Sequence, residues 1–251
     1  MKKIRVTRSV VPNLLTLGNI FSGFAAIVYL SMNDFRYATF YIFLAAIFDL
    51  LDGIVARILR ATSEIGAELD SLCDAVSFGV APSFMLYQAY FHQYNEVGIL
   101  LASLPALAGV LRLARFNVQL VSFEDKLYFR GMPIPAGALT IISFVMFYVI
   151  DGVLSPIETK VLSFIVVIAV PLAMISNFKY DNLPRPTKHS FRKRPFVFIL
   201  VTIAVIIAIA TKGYAVFPIM MFYLVVSPLR NIIIKTIGIV KVKSKKNKYE
   251  L

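Results

Sequence analysis

Eight long apolar stretches, separated by short polar segments, occupy most of this chain of 251 residues. No water is available for backbone N–H and C=O groups in the hydrocarbon core of a bilayer, so apolar stretches of about 20 residues cross it as α-helices. The hydrophobic fraction is 59%, above the roughly 45–50% of soluble domains. The sequence therefore predicts an all-α, polytopic transmembrane bundle. The predicted spans are roughly 10–31, 36–59, 66–91, 97–118, 134–152, 158–177, 195–211 and 213–232.

Loop charges predict the orientation of the bundle. With the N-terminus in the cytoplasm, all but Arg36, Lys160 and Lys212 of the 26 Lys and Arg residues fall in cytoplasmic segments, as the positive-inside rule requires. An even number of spans with both termini in the cytoplasm follows. The net charge of +12 then reflects this rule and attraction to anionic membrane lipids. The charges form no recognisable nucleic-acid module, so we expect no nucleic-acid partner.

Composition shifts divide the chain into four parts. A six-helix core is expected over 1–177, a basic, proline-rich cytoplasmic loop over 178–195, an additional transmembrane hairpin over 196–232, and a basic cytoplasmic tail over 233–251. The junction between the last two stretches, Thr211-Lys212-Gly213, is very short. A single re-entrant hairpin therefore remains an alternative for this part.

Four aspartates interrupt the apolar pattern: Asp49, Asp52, Asp70 and Asp74. Carboxylates at membrane depth are costly and mark functional sites. Spacings of three and four residues place each pair on one face of a helix. The connection between the two helices is short, so the four groups can converge. Oxygen-only ligands suit Mg²⁺, Mn²⁺ or Ca²⁺, and four acids suggest two ions that clamp a phosphoryl group.

Residues next to the aspartates fit a phosphate-bearing ligand. Gly53 leaves room for close approach, Ala56 is small, and Arg57 can offer a bidentate fork to phosphate. Gly66 removes a side chain at the start of the next helix. Three alternatives remain open at this point. The acids can be surface residues of a loop or line the pathway of a cation transporter, and the glycines can serve helix packing alone.

The spacing D-x2-D-G-x2-A-R-x8-G-x3-D-x3-D resembles the signature of the CDP-alcohol phosphotransferases. Every fixed position is present, from Asp49 to Asp74. The resemblance implies an integral membrane enzyme with a six-helix catalytic core, usually a homodimer. Such enzymes transfer a phosphoalcohol from a CDP-activated donor to an acceptor hydroxyl and release CMP. It also implies that the four aspartates bind metal, Mg²⁺ or Mn²⁺, that Asp74 is the general base, and that Asp70 is mainly a metal ligand.

Segments outside this signature narrow the resemblance. They are P-N-L-L-T-L-G-N from Pro12, S-F-G-V-A-P from Ser77, R-L-A-R-F-N from Arg112 and F-R-G-M-P-I-P-A from Phe129. Together they resemble the membrane-embedded phosphatidylserine synthases over about residues 8–177. This resemblance implies L-serine as the acceptor, CDP-diacylglycerol or CDP-archaeol as the donor, and a site near the cytoplasmic face of the cell membrane.

Polar residues in these segments are candidates for substrate binding. Asn13 and Thr16 lie one turn apart and are candidates to face the nucleotide; the alternative is that they are ordinary polar residues at a helix start. Arg112, Arg115 and Arg130 are candidates for the serine carboxylate or the donor phosphates, with Ser77 beside them; the arginines can instead be positive-inside anchors. Glycerol 3-phosphate or inositol phosphate is the alternative acceptor, and a cation transporter is the alternative class of function.

Overall fold

A computed structural model describes residues 10–61, 64–121, 131–178, 180 and 195–247, and within these ranges the regular structure is helical, without strands. The predicted all-α class is confirmed. The α-helices are α1 Val10–Ser31, α2 Phe35–Ile58, α3 Glu64–Asp74, α4 Ala81–Ala89, α5 Asn95–Val121, α6 Ile134–Phe144, α7 Pro156–Ile175, α8 Pro195–Ala210 and α9 Val216–Asn247. A π-helical turn, Ala75–Val80, joins α3 to α4, and a second, Val145–Ile150, extends α6. A 3₁₀ turn, Phe91–Tyr94, precedes α5.

These elements form eight helical rods that coincide with the eight predicted stretches. Five rods are long and apolar enough to cross a membrane: Val10–Ser31, Phe35–Ile58, Ile65–Ala89, Phe91–Val118 and Pro156–Ile175. Three shorter apolar helices cover Ile134–Ile150, Phe198–Ala210 and Val216–Asn231. The chain is therefore a multi-pass membrane protein. The last two stretches form separate helices joined by a turn in which Lys212 and Gly213 have φ of 52° and 98°.

Helix α1 packs along α2 and also contacts α3 and the π-turn that follows it. Small and polar residues of α1 lie buried on this face, among them Ser22 and Gly23. A Cβ added at Gly23 would lie 2.9 Å from the Cα of Ser77 and 2.3 Å from its Oγ. Only glycine therefore permits this approach of the two backbones, as in other closely packed membrane helices.

The end of α2 is fixed by a Schellman motif. The Ala61 N–H donates to the Ala56 carbonyl at 2.9 Å, and the Arg60 N–H donates to the Arg57 carbonyl at 3.3 Å. Arg60 takes the left-handed position of the motif, with φ of 49°, which glycine usually occupies. The α2 segment that carries Asp49 and Asp52 thus ends at a defined place.

The same end of the bundle is held together around the C-terminus of α7. The Gly131 N–H donates to the Phe178 carbonyl at 2.9 Å, and the Met132 N–H donates to the Ala173 carbonyl at 3.0 Å. Gly131 has φ of 83°, and a Cβ there would lie 2.1 Å from the Met174 carbonyl oxygen. This backbone pairing sets where α6 starts relative to α7.

Helix α9 packs against α6. The ring of Phe217 lies 5.0 Å from that of Phe144 and 5.2 Å from that of Tyr148, measured between centroids. The Tyr148 hydroxyl donates to the Tyr214 carbonyl at 2.8 Å, and the Tyr214 hydroxyl donates to Oδ2 of Asp151 at 2.8 Å. The last helix is therefore joined to the core. Most described side chains of α8, by contrast, are exposed.

Candidate active site

Three of the four predicted aspartates come together. Asp49 from α2 and Asp70 and Asp74 from α3 each offer a carboxylate oxygen, and these atoms all lie within 4.8 Å of one another. Asp70 also has a buried oxygen, Oδ1, without a hydrogen-bond partner among the described residues. Carboxylates this close repel one another unless a cation lies between them. The donor set fits a hard divalent cation that prefers oxygen ligands.

Asp52 lies one turn along α2 from Asp49, outside this group of three. It is buried, and its Oδ2 accepts a hydrogen bond of 2.7 Å from Oγ1 of Thr16 on α1. The predicted contact of Thr16 with a nucleotide stays a prediction. The observed contact fixes the orientation of the Asp52 carboxylate, because a hydrogen bond to a charged group is among the strong ones.

Asn19 is a site residue that the sequence analysis did not single out. It is fully buried, and its Nδ2 donates to Oδ1 of Asp74 at 3.0 Å. Its own Oδ1 is buried without a hydrogen-bond partner in the described part of the chain. The sequence does contain a signal for a buried polar residue here, because Thr16, Asn19 and Ser22 recur every three residues in an apolar span. Such a stripe places polar groups on one helix face.

The residues predicted to bind the donor lie at the same end of α1, α2 and α3. Gly53 is half-buried, and among the described side chains an added Cβ would meet only Nη2 of Arg57, at 3.9 Å. Arg57 is exposed, whereas Ala56, Gly66 and Asn13 are half-buried. The structure therefore leaves room for a ligand next to Asp52.

The predicted arginines differ in their surroundings. Arg112 on α5 is half-buried, and its Nε is buried without a hydrogen-bond partner among the described residues. Nη1 of Arg115, one turn further, donates to the Ile175 carbonyl at 3.0 Å and so caps the C-terminus of α7. A cation is favourable at that helix end. Arg130 lies outside the described residues.

Ser77 has no exposed surface. Its Oγ donates to the backbone carbonyl of Asn19 at 3.1 Å, which connects the π-turn after Asp74 to α1. Contact between Ser77 and an acceptor substrate therefore stays a prediction that gains no support from this geometry. Hydrogen bonding of Ser77 instead fixes the backbone of the residue that contacts Asp74.

A second polar network links α3 to α5. Nδ2 of Asn117 lies 3.2 Å from Oε2 of Glu68 and 3.2 Å from Oγ of Ser71. Ser71 follows Asp70 directly in the sequence. Asn117 belongs to the R-L-A-R-F-N segment, but neither its partner residues nor this contact follows from residue spacing.

A bundle of membrane-spanning helices with a carboxylate cluster at one end defines a multi-pass membrane protein with a candidate divalent-metal site. The model of the CDP-alcohol phosphatidyltransferase family matches residues 9–226. The chain belongs to this family, and the resemblance seen in the sequence is confirmed.

Several curated proteins are similar to the chain over most of its length. A CDP-diacylglycerol–serine O-phosphatidyltransferase of Helicobacter pylori is 34% identical over 223 residues, 87% of this chain and 90% of that protein. One of Methanocaldococcus jannaschii is 38% identical over 174 residues, 69% of this chain and 75% of that protein. An archaetidylserine synthase of Methanothermobacter thermautotrophicus is 36% identical over 177 residues, 68% of this chain and 70% of that protein.

Proposed function

We propose that the protein transfers a phosphatidyl group from a CDP-lipid to the hydroxyl of L-serine, forming phosphatidylserine and CMP. The observation that carries this proposal is the cluster of Asp49, Asp70 and Asp74 in a chain similar over 87% of its length to a protein named for this reaction. In this reaction one bond to phosphorus forms and one breaks. The serine oxygen attacks the phosphorus that bears the lipid, the bond from that phosphorus to the CMP oxygen breaks, and the serine hydroxyl proton goes to a carboxylate.

The four aspartates would hold the metal, two Mg²⁺ or Mn²⁺ ions in this proposal. The ions would neutralise the pyrophosphate and the leaving CMP. Asp74 accepts the serine proton in this proposal. A general base must lie within hydrogen-bond reach of the proton that it accepts, so the serine hydroxyl would bind next to Asp74. Its Oδ1 already accepts from Asn19, which favours Oδ2 for this role. Asp70 acts mainly as a metal ligand.

The donor binds along the ends of α1, α2 and α3 in this proposal. Gly53 gives the pyrophosphate room, since Arg57 is the only described side chain within 4 Å of an added Cβ. The exposed Arg57 side chain holds a phosphate, and Ala56 and Gly66 keep the groove open. Asn13 lies one turn before Thr16 and contacts the nucleotide, and Thr16 orients Asp52.

The acceptor carboxylate binds to Arg112 in this proposal. A zwitterion such as serine needs a cation close to the general base, and Arg112 lies on α5, which packs against the π-turn that follows Asp74. Its buried Nε donor has no partner among the described residues, and leaving a buried charged donor unpaired is costly. Arg115 already caps α7. Arg130 stays a further candidate.

The proposal extends to location and assembly. We place the protein in the cell membrane with the site near the cytoplasmic face, because the basic residues flank that end of the helices. We also propose a homodimer, on the strength of the family resemblance. Cysteine labelling at introduced positions tests the orientation, and mass measurement in detergent tests the dimer.

The test is CMP release by the purified full-length protein with Mg²⁺ or Mn²⁺. CDP-diacylglycerol and CDP-archaeol are compared as donors, and L-serine, glycerol 3-phosphate and inositol phosphate as acceptors. We expect serine-dependent release that is lost in Asp74→Asn and kept in Asp151→Asn, an acid distant in sequence from the cluster. Release with a phosphorylated acceptor alone would contradict the assignment to serine. Metal flux without CMP release would support a transporter instead.

A further inference from the structure

We propose that Asn117 of α5 is a positioning residue for Asp70, so that a helix that carries none of the four aspartates helps to place one of them. This inference rests on the proposed function, in which Asp70 binds a divalent metal ion. Asn117 ends the R-L-A-R-F-N segment, and no step of the proposed reaction uses it. Its role is indirect, because it acts through the α3 residues on either side of Asp70.

The side-chain amide of Asn117 bridges two residues of α3. Its Nδ2 lies 3.2 Å from Oε2 of Glu68 and 3.2 Å from Oγ of Ser71, so its two N–H groups match two acceptors. The Ser71 hydroxyl donates in turn to the Ala67 carbonyl at 3.1 Å. Glu68 and Ser71 lie on either side of Asp70 in the sequence. The amide therefore holds the turn of α3 that carries Asp70.

Asp70 depends on this support more than two of the other acids do. Asp52 accepts a hydrogen bond from Thr16, and Asp74 accepts one from Asn19, so bonds from α1 orient both carboxylates. Oδ1 of Asp70, by contrast, is buried without a hydrogen-bond partner among the described residues. The position of this oxygen is therefore set by the position of α3.

Repulsion within the acid cluster gives this support a function. Carboxylate oxygens of Asp49, Asp70 and Asp74 lie within 4.8 Å of one another, and like charges this close push α2 and α3 apart unless a cation lies between them. Helix α3 packs against α1, and Asn117 ties it to α5. A metal ligand must be held near its productive position by the residues that support it. Asn117 supplies part of this support.

The chemistry of the contact suits positioning better than overall stability. Asn117 is half-buried and Glu68 is exposed, so water competes for these hydrogen bonds and their net contribution to the free energy of unfolding is small. An amide is also neutral. It can bind Glu68 without adding a positive charge that would repel a metal ion at the neighbouring acids.

The experiment measures Mn²⁺ binding to the purified full-length protein, from the electron paramagnetic resonance signal of the free ion. The site is defined as the binding that Asp70→Asn removes. We expect Asn117→Ala to raise the Mn²⁺ dissociation constant of this site about tenfold, as for other residues that support a metal ligand. Gln88→Ala is the matched control and should leave the constant unchanged, because Gln88 also joins two helices through its amide, which donates to the Leu30 carbonyl at 3.4 Å.

A pair of substitutions with matched charge separates positioning from general packing. Asn117→Asp alone places a carboxylate against Glu68 and should weaken Mn²⁺ binding at least as much as Asn117→Ala does. Glu68→Gln in the same molecule restores a donor and an acceptor, with the direction of the hydrogen bond reversed, so the affinity should return close to that of the wild type. Ser71→Ala removes one of the two bonds and should weaken binding less, and it should add little to Asn117→Ala.

An unchanged Mn²⁺ dissociation constant in Asn117→Ala, or no recovery in the charge-matched pair, would overturn the inference. The constant describes folded molecules alone, so a lower yield of folded protein does not alter it. If Asn117→Ala does not fold, Ser71→Ala decides in the same way, through a raised or an unchanged constant. Wild-type protein that binds no Mn²⁺ at this site and releases no CMP would overturn the proposed function, and this inference with it.

Discussion

Single polar side chains on α1 decide how the acids on two other helices are presented. Thr16 holds Asp52 through a contact of 2.7 Å, and Asn19 holds Asp74 through one of 3.0 Å. Both residues are buried, so their hydrogen bonds meet little competition from water. The acids supply the chemistry in the proposed reaction, and these two neighbours supply the orientation.

Replacement of Asn19 by Ala tests this orientation. It removes the donor to Asp74, and we expect kcat to fall at least tenfold, because hydrogen bonds to charged groups contribute about 1.5–3 kcal/mol. Ser22→Ala is the matched control, since the Ser22 hydroxyl lies one turn further on α1 and donates only to the Gly18 carbonyl. CMP release under saturating serine measures both. Equal kcat values in the two variants would contradict the role of Asn19.

Thr16 allows a finer comparison. Thr16→Val keeps the shape of the side chain and removes the hydroxyl that bonds to Asp52, whereas Thr16→Ser keeps the hydroxyl. We expect Thr16→Val to raise the metal concentration needed for half-maximal activity. Thr16→Ser should need a metal concentration close to that of the wild type. Metal titration of CMP release is the measurement. If the Val and Ser variants titrate alike, the hydroxyl has no part in metal binding.

At the scale of elements, two glycines of the same bundle serve opposite purposes. Gly23 lets α1 approach the π-turn after Asp74, with Ser77 Cα only 2.9 Å from an added Cβ. Gly53 faces open space near the acids, with one guanidinium nitrogen at 3.9 Å. One glycine is required for packing, and the other leaves room for a ligand.

Replacing each glycine by alanine should therefore affect a different property of the protein. Gly23→Ala forces two backbones apart, and overpacking of this kind typically costs about 1–3 kcal/mol, so we expect a lower unfolding temperature in detergent. Gly53→Ala should unfold like the wild type but show a higher KM for the CDP-lipid. Thermal unfolding and kinetics of both variants decide the matter. Loss of stability in Gly53→Ala with an unchanged KM would refute the ligand groove.

At the scale of the whole molecule, a metal held by the acid cluster, as proposed, would couple binding to stability. Three carboxylate oxygens within 4.8 Å of one another repel in the metal-free protein. An ion that binds only the folded state stabilises it by about 2.7 kcal/mol at a hundred times its Kd. In this proposal the site favours metal binding at the expense of metal-free stability, as functional sites often do.

Asp70→Asn should reverse this balance. Removal of one charge relieves the repulsion, so we expect the metal-free variant to unfold at a higher temperature than the metal-free wild type. The rise in unfolding temperature with Mn²⁺ or Mg²⁺ should shrink or disappear. Glu158→Gln, which keeps a side chain able to maintain the capping box at the start of α7, is the control. A full metal-dependent rise in Asp70→Asn would show that Asp70 is not a ligand.

The sequence predicted the helical class and all eight helical rods, because apolar length alone dictates them. It also predicted that aspartates of α2 and α3 come together, because the spacing of the acids in the sequence is specific. It did not predict that Asn19 holds Asp74, nor that Asn117 of α5 bonds to Ser71 of α3, because residue spacing along one helix does not reveal contacts across helices. Nor did the sequence distinguish the role of Arg112 from that of Arg115. Arg115 caps α7 because α7 ends beside it, and the position of that end does not follow from the sequence.

The residues of the proposed site come from different helices, and this has a consequence for how the substrate specificity of such proteins evolves. The acids and their hydrogen-bond partners come from the first three helices, whereas Arg112, the proposed ligand of the acceptor carboxylate, comes from α5. In the proposed reaction, mutations on α5 would change which alcohol is accepted while the acid cluster on α2 and α3 stays intact. New lipid headgroups would then arise by gradual substitution in one half of the chain, without an inactive ancestor in between.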